Sequence, residues 1–264
     1  MDAPSPPRFS TRLHGHETLV GTVLTLPGVA LAELLAEPLD FVWIDLEHGA
    51  LDAGDVPPLA VAARAAGCAA LVRLASADRV PAILDAGVDG VVAPRVESAA
   101  QARRLADRLR HPPRGSRGFA ARRASGYGRA GAAQPDGAAP RDPVLLAQIE
   151  SAAGVEAAEE IAAVDGVDAL VVGCADLALA LDGVLEPASP RVREAIAHVQ
   201  GAAAAAGIAS GVAGPDDPDR LHELAGERST LLVCAADVRI YARAIDELVG
   251  RLRAREREAL RVGA

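Results

Sequence analysis

Eight short β-rich runs alternating one for one with eight helical stretches predict a single-domain α/β fold for this 264-residue chain, a (β/α)8 TIM barrel. Strict alternation calls for parallel strands joined by right-handed crossovers. A barrel of eight such units needs about 250 residues, which matches the length. Half of the residues are apolar, enough for one large core.

The strands are expected at Leu19–Thr25, Phe41–Ile44, Ala69–Arg73, Gly90–Ala93, Val144–Ile149, Ala169–Val172, Ile208–Val212 and Leu231–Ala235. Each is a short Val/Ile/Leu/Ala run, the pattern of a strand buried on both faces. The second is the clearest, because Gly49 and the polar stretch from Asp52 to Asp55 turn the chain from it into a helix. The Ala/Leu/Arg-rich helices are expected near Val29–Ala36, Val56–Ala66, Ala77–Asp85, Ala99–Arg110, Val155–Ala163, Arg191–Ala206, Asp219–Glu227 and Ile240–Arg261. Residues 1–17 read as a flexible lead. The segment from His111 to Asp142, rich in Gly, Pro, Arg and Ala, reads as a long loop that serves as a lid or an interface.

Composition removes several function classes. The formal net charge of −9 gives no footprint for nucleic acid or an anionic membrane surface. No apolar run approaches the roughly 20 residues of a spanning helix, and no signal-peptide pattern opens the chain, so a soluble, cytoplasmic protein is expected. Cys68, Cys174 and Cys234 have neither disulfide-framework density nor zinc-ligand spacing. All 27 basic residues are arginine, and a chain without lysine forms no Schiff base with a substrate or with pyridoxal phosphate.

The ends of the predicted strands carry the chemistry. The run Phe41-Val-Trp-Ile-Asp45-Leu-Glu47-His48 ends in three side chains able to move protons or bind metal, strand three ends at Arg73, strand five at Gln148-Ile-Glu150-Ser151, and strand six at Gly173-Cys174-Ala175-Asp176. In a closed barrel these ends converge on one face. Glu150 and Asp176 could hold a hard divalent cation, Arg73 could stabilise an oxyanion, and His48 could take a proton. Taken singly, Asp45, Asp85 or Asp176 could equally be a helix cap. Glu47 is divided between a supporting and a structural role. The loop arginines Arg117, Arg122 and Arg123 read as solvated or interface residues, and Cys174 as a packing residue.

Seven motifs in order make the resemblance specific: Asp45-x-Glu47-His48, Val72-Arg73, Leu84-Asp85-x-Gly87, Pro112-Pro113-x-Gly115-x-Arg117-Gly118, Gln148-x-Glu150-Ser151, Gly173-x-x-Asp176-Leu177, and Asp237 after strand eight. The chain from about Gly21 to Ala244 resembles the HpcH/HpaI aldolases. The resemblance implies a class II pyruvate aldolase dependent on a divalent cation (Mg, Mn or Co), cleaving a 4-hydroxy-2-oxo acid to pyruvate and an aldehyde. It implies Glu150 and Asp176 as metal ligands with Gln148 nearby, Arg73 on the pyruvate oxo group, His48 as acid/base, and Asp45 and Asp85 as catalytic carboxylates. The backbone N–H groups at Gly173, Ala175 and Asp176 would hold the pyruvate carboxylate. It further implies a homo-oligomer, a hexamer built as a trimer of dimers, with the C-terminal helix exchanged between subunits.

Three positions depart from the family pattern: Cys174 for a proline, Ala178 for a small polar residue, and Arg95 for Met or Phe. Arg95 is therefore expected at the mouth, selecting anionic aldehydes. The competing readings are a CoA-thioester lyase of the citrate lyase β-subunit branch and a catalytically silent metabolite-binding barrel.

Overall fold

The computed structural model describes residues 8–129, 142–185, 187 and 189–262. Its elements run α1 (Phe9–His14), β1 (Leu19–Leu24), α2 (Val29–Ala36), β2 (Phe41–Asp45), α3 (Val56–Ala65), β3 (Ala69–Arg73), α4 (Val80–Asp85), β4 (Gly90–Ala93), α5 (Ala99–Leu109), β5 (Val144–Ile149), α6 (Ala152–Glu156), α7 (Ala158–Ala162), β6 (Ala169–Gly173), α8 (Cys174–Asp182), α9 (Pro190–Ala206), β7 (Ala209–Ala213), α10 (Pro218–Ala225), β8 (Leu231–Ala236) and α11 (Asp237–Val262). The eight strands close in sequence order, β8 pairing with β1, and all pairs are parallel. The expected barrel is thus the observed one.

Two layers of apolar side chains hold it. Alternate strand residues such as Val42, Ile44, Val72, Val91 and Leu145 face outward and pack under the helices. The other set, Phe41, Trp43, Leu71, Val92, Leu146, Val171 and Val233, fills the interior. This is the period-two alternation of a strand, hidden in runs that are apolar throughout.

Residues 9–14, inside the segment expected as a flexible lead, form α1 instead. Phe9 and Leu13 lie four apart on one helical face and are buried, and Phe9 meets Phe41 edge-on at 5.5 Å between ring centroids. α1 closes the end of the barrel where the strands begin; residues 1–7 of that lead lie outside the described residues. The helix expected over Val155–Ala163 is two short helices, α6 and α7, and the one over Ala77–Asp85 opens as a 3-10 turn at Ala77–Arg79 ahead of Pro81, which lacks an N–H to donate.

The long loop joins the end of α5 to the start of β5, and so sits at the face where strands enter. His111, Arg117 and Phe119 line a cavity there with Phe9, Asp89 and Pro143. The described part of the loop is therefore no lid over its own strand ends; residues 130–141 lie outside the described residues.

Candidate active site

The inward rows of the barrel change from apolar to polar at one height. Register pairs Phe41 with Ala69, Trp43 with Leu71, and Asp45 with Arg73, so the third inward position of β2 and β3 carries opposite charges side by side. On β5 the row Val144, Leu146 ends in Gln148. Trp43 and Leu71 form the apolar floor beneath these groups.

Arg73 is held from three sides. Its Nε and Nη2 donate to the two Asp45 oxygens at 2.8 and 2.6 Å, its Nε lies 3.3 Å from Glu47 Oε2, and its guanidinium lies 5.6 Å from the Trp43 ring centroid. Asp45 also accepts the backbone N–H groups of Glu47 at 3.0 Å and of His48 at 3.4 Å. Burial pushes the Asp45 carboxyl up, but the hydrogen bonds and charge of Arg73, helped by those two N–H groups, hold it below the usual carboxylate range. Asp45 is thus a buried anchor that aims Arg73 and roots the loop after β2. Glu47 lies between Arg73 and His48, since the same Oε2 that approaches Arg73 lies 3.8 Å from His48 Nε2. His48 itself is exposed and lines the mouth.

Glu150 follows β5 and is almost buried, at 4% exposure. Gln148 Nε2 donates to its Oε2 at 2.6 Å, and the Arg95 N–H donates to its Oε1 at 2.9 Å. Burial, then the negative charges of Asp176 and Glu47, push its carboxyl up to about 7. Glycine at 173 leaves room for the Gln148–Glu150 pair, because a Cβ there would lie 2.7 Å from both Gln148 Nε2 and Glu150 Oε2 and push them aside. α8 starts immediately after Gly173, so the first-turn N–H groups of Ala175 and Asp176 stand at the mouth with the positive end of the helix dipole.

These groups border a cavity of about 520 Å³ lined by Trp43, Asp45, His48, Arg73, Gln148, Gly173, Ala175 and Asp176 among others. Three carboxylates, Asp45, Glu47 and Glu150, act on the Arg73 guanidinium, Asp176 acts on Glu150, and Gln148 Oε1 is a buried oxygen without a hydrogen-bond partner. Among the described residues no three His, Cys, Asp or Glu side chains form a metal cage by themselves. A divalent cation fits nevertheless: two carboxylates and an unpartnered amide oxygen are hard donors that leave positions for water and substrate, and added positive charge relieves the repulsion on Glu150.

Asp85, expected beside His48, is not at this mouth. It ends α4 on the strand-entry side, where it lines the other cavity and meets Arg117 Nη2 at 3.5 Å. An adjacent Gly87 and a matching motif say nothing about which end of the barrel a carboxylate occupies. Arg95 reaches the site through its backbone: a left-handed conformation, φ 50°, turns its N–H onto Glu150, while its side chain is exposed and does not line the mouth. Burial pushes the Cys174 thiol up to about 12, which removes it as a nucleophile.

A profile of the HpcH/HpaI aldolase/citrate lyase family matches residues 29–240. The chain belongs to this family. A hydroxypyruvate/pyruvate aldolase of Paraburkholderia phytofirmans is 37% identical over 93% of this chain and 97% of its own length. One of Rhizorhabdus wittichii is 39% identical over 75% and 79%. An HpcH/HpaI aldolase/citrate lyase family protein of Burkholderia cenocepacia superposes with a TM-score of 0.84 at 33% identity, over 92% of this chain and 98% of that one. The seven motifs that carried the resemblance in the sequence, from Asp45 to Asp237, all fall within the matched span, the strand-end groups of β2, β3, β5 and β6 among them.

Proposed function

We propose that this chain is a divalent-metal-dependent pyruvate aldolase, a carbon–carbon lyase that reversibly cleaves a 4-hydroxy-2-oxo acid to pyruvate and an aldehyde. One observation carries the reading: Gln148, with its orphaned oxygen, lines one mouth with Asp176, Arg73 and His48, and the charge-stressed Glu150 is hydrogen-bonded to that Gln148 and repelled by that Asp176. The aldolase relatives at 37% and 39% identity favour it over the CoA-thioester lyase and the silent barrel.

In the synthetic direction, the first-turn N–H groups of α8 receive the pyruvate carboxylate. Arg73 faces the C2 oxygen, where its fork stabilises the negative charge that develops. Glu150 and Asp176, together with Gln148, would hold a divalent cation, which would supply further Lewis-acid stabilisation of that charge. His48 removes a proton from the C3 methyl, and the C–H electron pair becomes the C2–C3 double bond of the enolate. C3 then attacks the aldehyde carbonyl carbon, and the proton held by His48 goes to the former aldehyde oxygen. Cleavage runs the same steps backwards, with no oxidant or reductant.

α11 leaves Ile245, Leu248 and Leu252 exposed, a stripe suited to packing on a second copy in a homo-oligomer, read here as a hexamer. The three free thiols fit a cytoplasmic setting, and no helix among the described residues is long and apolar enough to cross a membrane. The deciding experiment is pyruvate with a panel of aldehydes and added Mg, Mn or Co, against chelator. Metal-dependent aldol product supports the reading. Cleavage of malyl-CoA with no aldol product from any aldehyde would replace it with the CoA-thioester lyase.

A further inference from the structure

Asp237 is fully buried at the junction of β8 and α11, and its carboxylate has no part in the chemistry above. Its Oδ2 accepts the N–H groups of Thr25 and Leu26, both at 3.0 Å. Its Oδ1 accepts the Thr25 hydroxyl at 2.5 Å and its neighbour's N–H, from Val238, at 2.8 Å. Four donors on one carboxylate offset the desolvation of a buried charge, and three of them come from the two residues that follow β1. The ladder supplies the placement: between Gly21↔Val233 and Val23↔Ala236, β8 carries one residue more than β1, a bulge that sets Asp237 level with Leu24, from where its carboxylate reaches the next two residues of the chain, Thr25 and Leu26.

Thr25 in turn supports the loop that presents His48. Its carbonyl accepts the Ala50 N–H at 2.9 Å. Gly49 lies directly on it, since a Cβ at 49 would collide with the Asp45 carbonyl and come within 3.2 Å of the Thr25 oxygen and 3.3 Å of its Cα. The loop is pinned at both ends, by Asp45 under Glu47 and His48 and by Thr25 under Gly49 and Ala50, with the exposed His48 ring between the pins. The first pin is set by the Arg73 pair. The second hangs on Asp237 alone among the contacts described for Thr25's side chain and N–H.

We propose that Asp237 is a positioning residue for His48: through Thr25 it fixes the far end of the 46–50 loop and so the direction from which His48 meets substrate. It touches no reacting atom. The consequence is selective, because the α8 N–H groups, Arg73 and Glu150 are held by other elements, so losing Asp237 would misplace the proton carrier and leave pyruvate binding intact.

The inference rests on the aldolase reading only for its kinetic readout. Hydrogen–deuterium exchange of the full chain is compared for wild type, Asp237→Asn, Thr25→Val and Thr25→Ser, alongside pyruvate methyl-proton exchange with Mn. In Asp237→Asn an amide group replaces one acceptor oxygen and faces N–H donors, so the segment 46–51 should exchange about tenfold faster or more while the β5 segment 144–149 stays within about twofold. Pyruvate methyl exchange should fall about tenfold to a hundredfold in kcat with KM held, the size expected for a misplaced reacting group. Thr25→Val should move both readouts in the same direction, and Thr25→Ser, which keeps the hydroxyl, should restore both. Unchanged protection of 46–51 in Asp237→Asn, or a raised KM with kcat intact, overturns the proposal. Should Asp237→Asn fail to fold, the Thr25→Val and Thr25→Ser pair decides by the same criteria. A wild type without methyl exchange would sink the aldolase reading, while the protection of 46–51 would still decide the positioning role.

Discussion

Replacing Glu150 by Gln tests whether the mouth is built for a cation without any knowledge of the substrate. In the metal-free protein the Glu150 carboxyl is raised from 4.5 to about 7, by burial first and then by Asp176 and Glu47. A folded-state value above the unfolded one means that the folded protein binds the extra proton. Stability is then fully present below about pH 4.3 and declines as pH rises through about 7. A shift of that size corresponds to about 3 kcal/mol, and water in the open mouth screens part of it, leaving roughly 1.5–3 kcal/mol. The amide removes the titration, so in chelator at about pH 8.5 Glu150→Gln should melt higher than wild type, by roughly 3–10 °C for a domain of this size. At about pH 5 the two should melt together. Added Mn should reverse the order at high pH by stabilising wild type through mass action and the variant far less. Thermal melts at two pH values, with and without metal, measure all of this. A variant that melts below wild type in chelator at high pH, or that gains as much from Mn, would refute the argument that Glu150 is a strained carboxylate waiting for a cation.

Three further outcomes are expected. Arg73→Lys should lower kcat/KM by about tenfold to a hundredfold, because an ammonium cannot keep both Asp45 hydrogen bonds and its place over Trp43, and one charge-assisted hydrogen bond is worth about 1.5–3 kcal/mol; wild-type turnover would remove Arg73 from the chemistry. His48→Ala should slow pyruvate methyl exchange by about 10²-fold or more while metal-dependent thermal stabilisation survives, and unchanged exchange would transfer the base role to another group. Truncation before Asp246 removes Ile245's apolar successors Leu248 and Leu252 and should dissociate the oligomer in light scattering; a full chain that is already monomeric at working concentration would remove the assembly reading.

The strands were legible because a parallel barrel buries both faces of each one, so apolar runs such as Val144–Ile149 have clear edges. What that same continuity conceals is which residues face inward: nothing in Phe41-Val-Trp-Ile-Asp says that Asp45 stands above Trp43. The closing helix α1 was missed because six residues carrying only Phe9 and Leu13 toward the barrel give little periodicity to read. At the site, sequence spacing picked out residues that the fold brings together at strand ends, and misplaced those whose position depends on direction. Asp85 belongs to the end of α4 and therefore to the opposite face, and Arg95 contributes an N–H because its backbone is left-handed. The place of Glu47 is not legible in the sequence, because it depends on one oxygen lying between Arg73 and His48.

The polar layer is also where the fold departs from what stability alone favours. A buried Asp–Arg pair seldom stabilises more than apolar residues of the same volume, and a nearly buried Glu150 beside Asp176 works against folding outright. Directly below, the same inward rows carry Phe41, Trp43, Leu71 and Leu146, so the barrel fills that space with apolar side chains wherever chemistry does not intervene. The change falls at one level in β2, β3 and β5, above a continuous apolar floor and facing the first turn of α8. A charged layer above an apolar floor, made of groups that together could bind an oxo acid and move its proton, is what a catalytic mouth requires and what a purely structural barrel has no reason to keep.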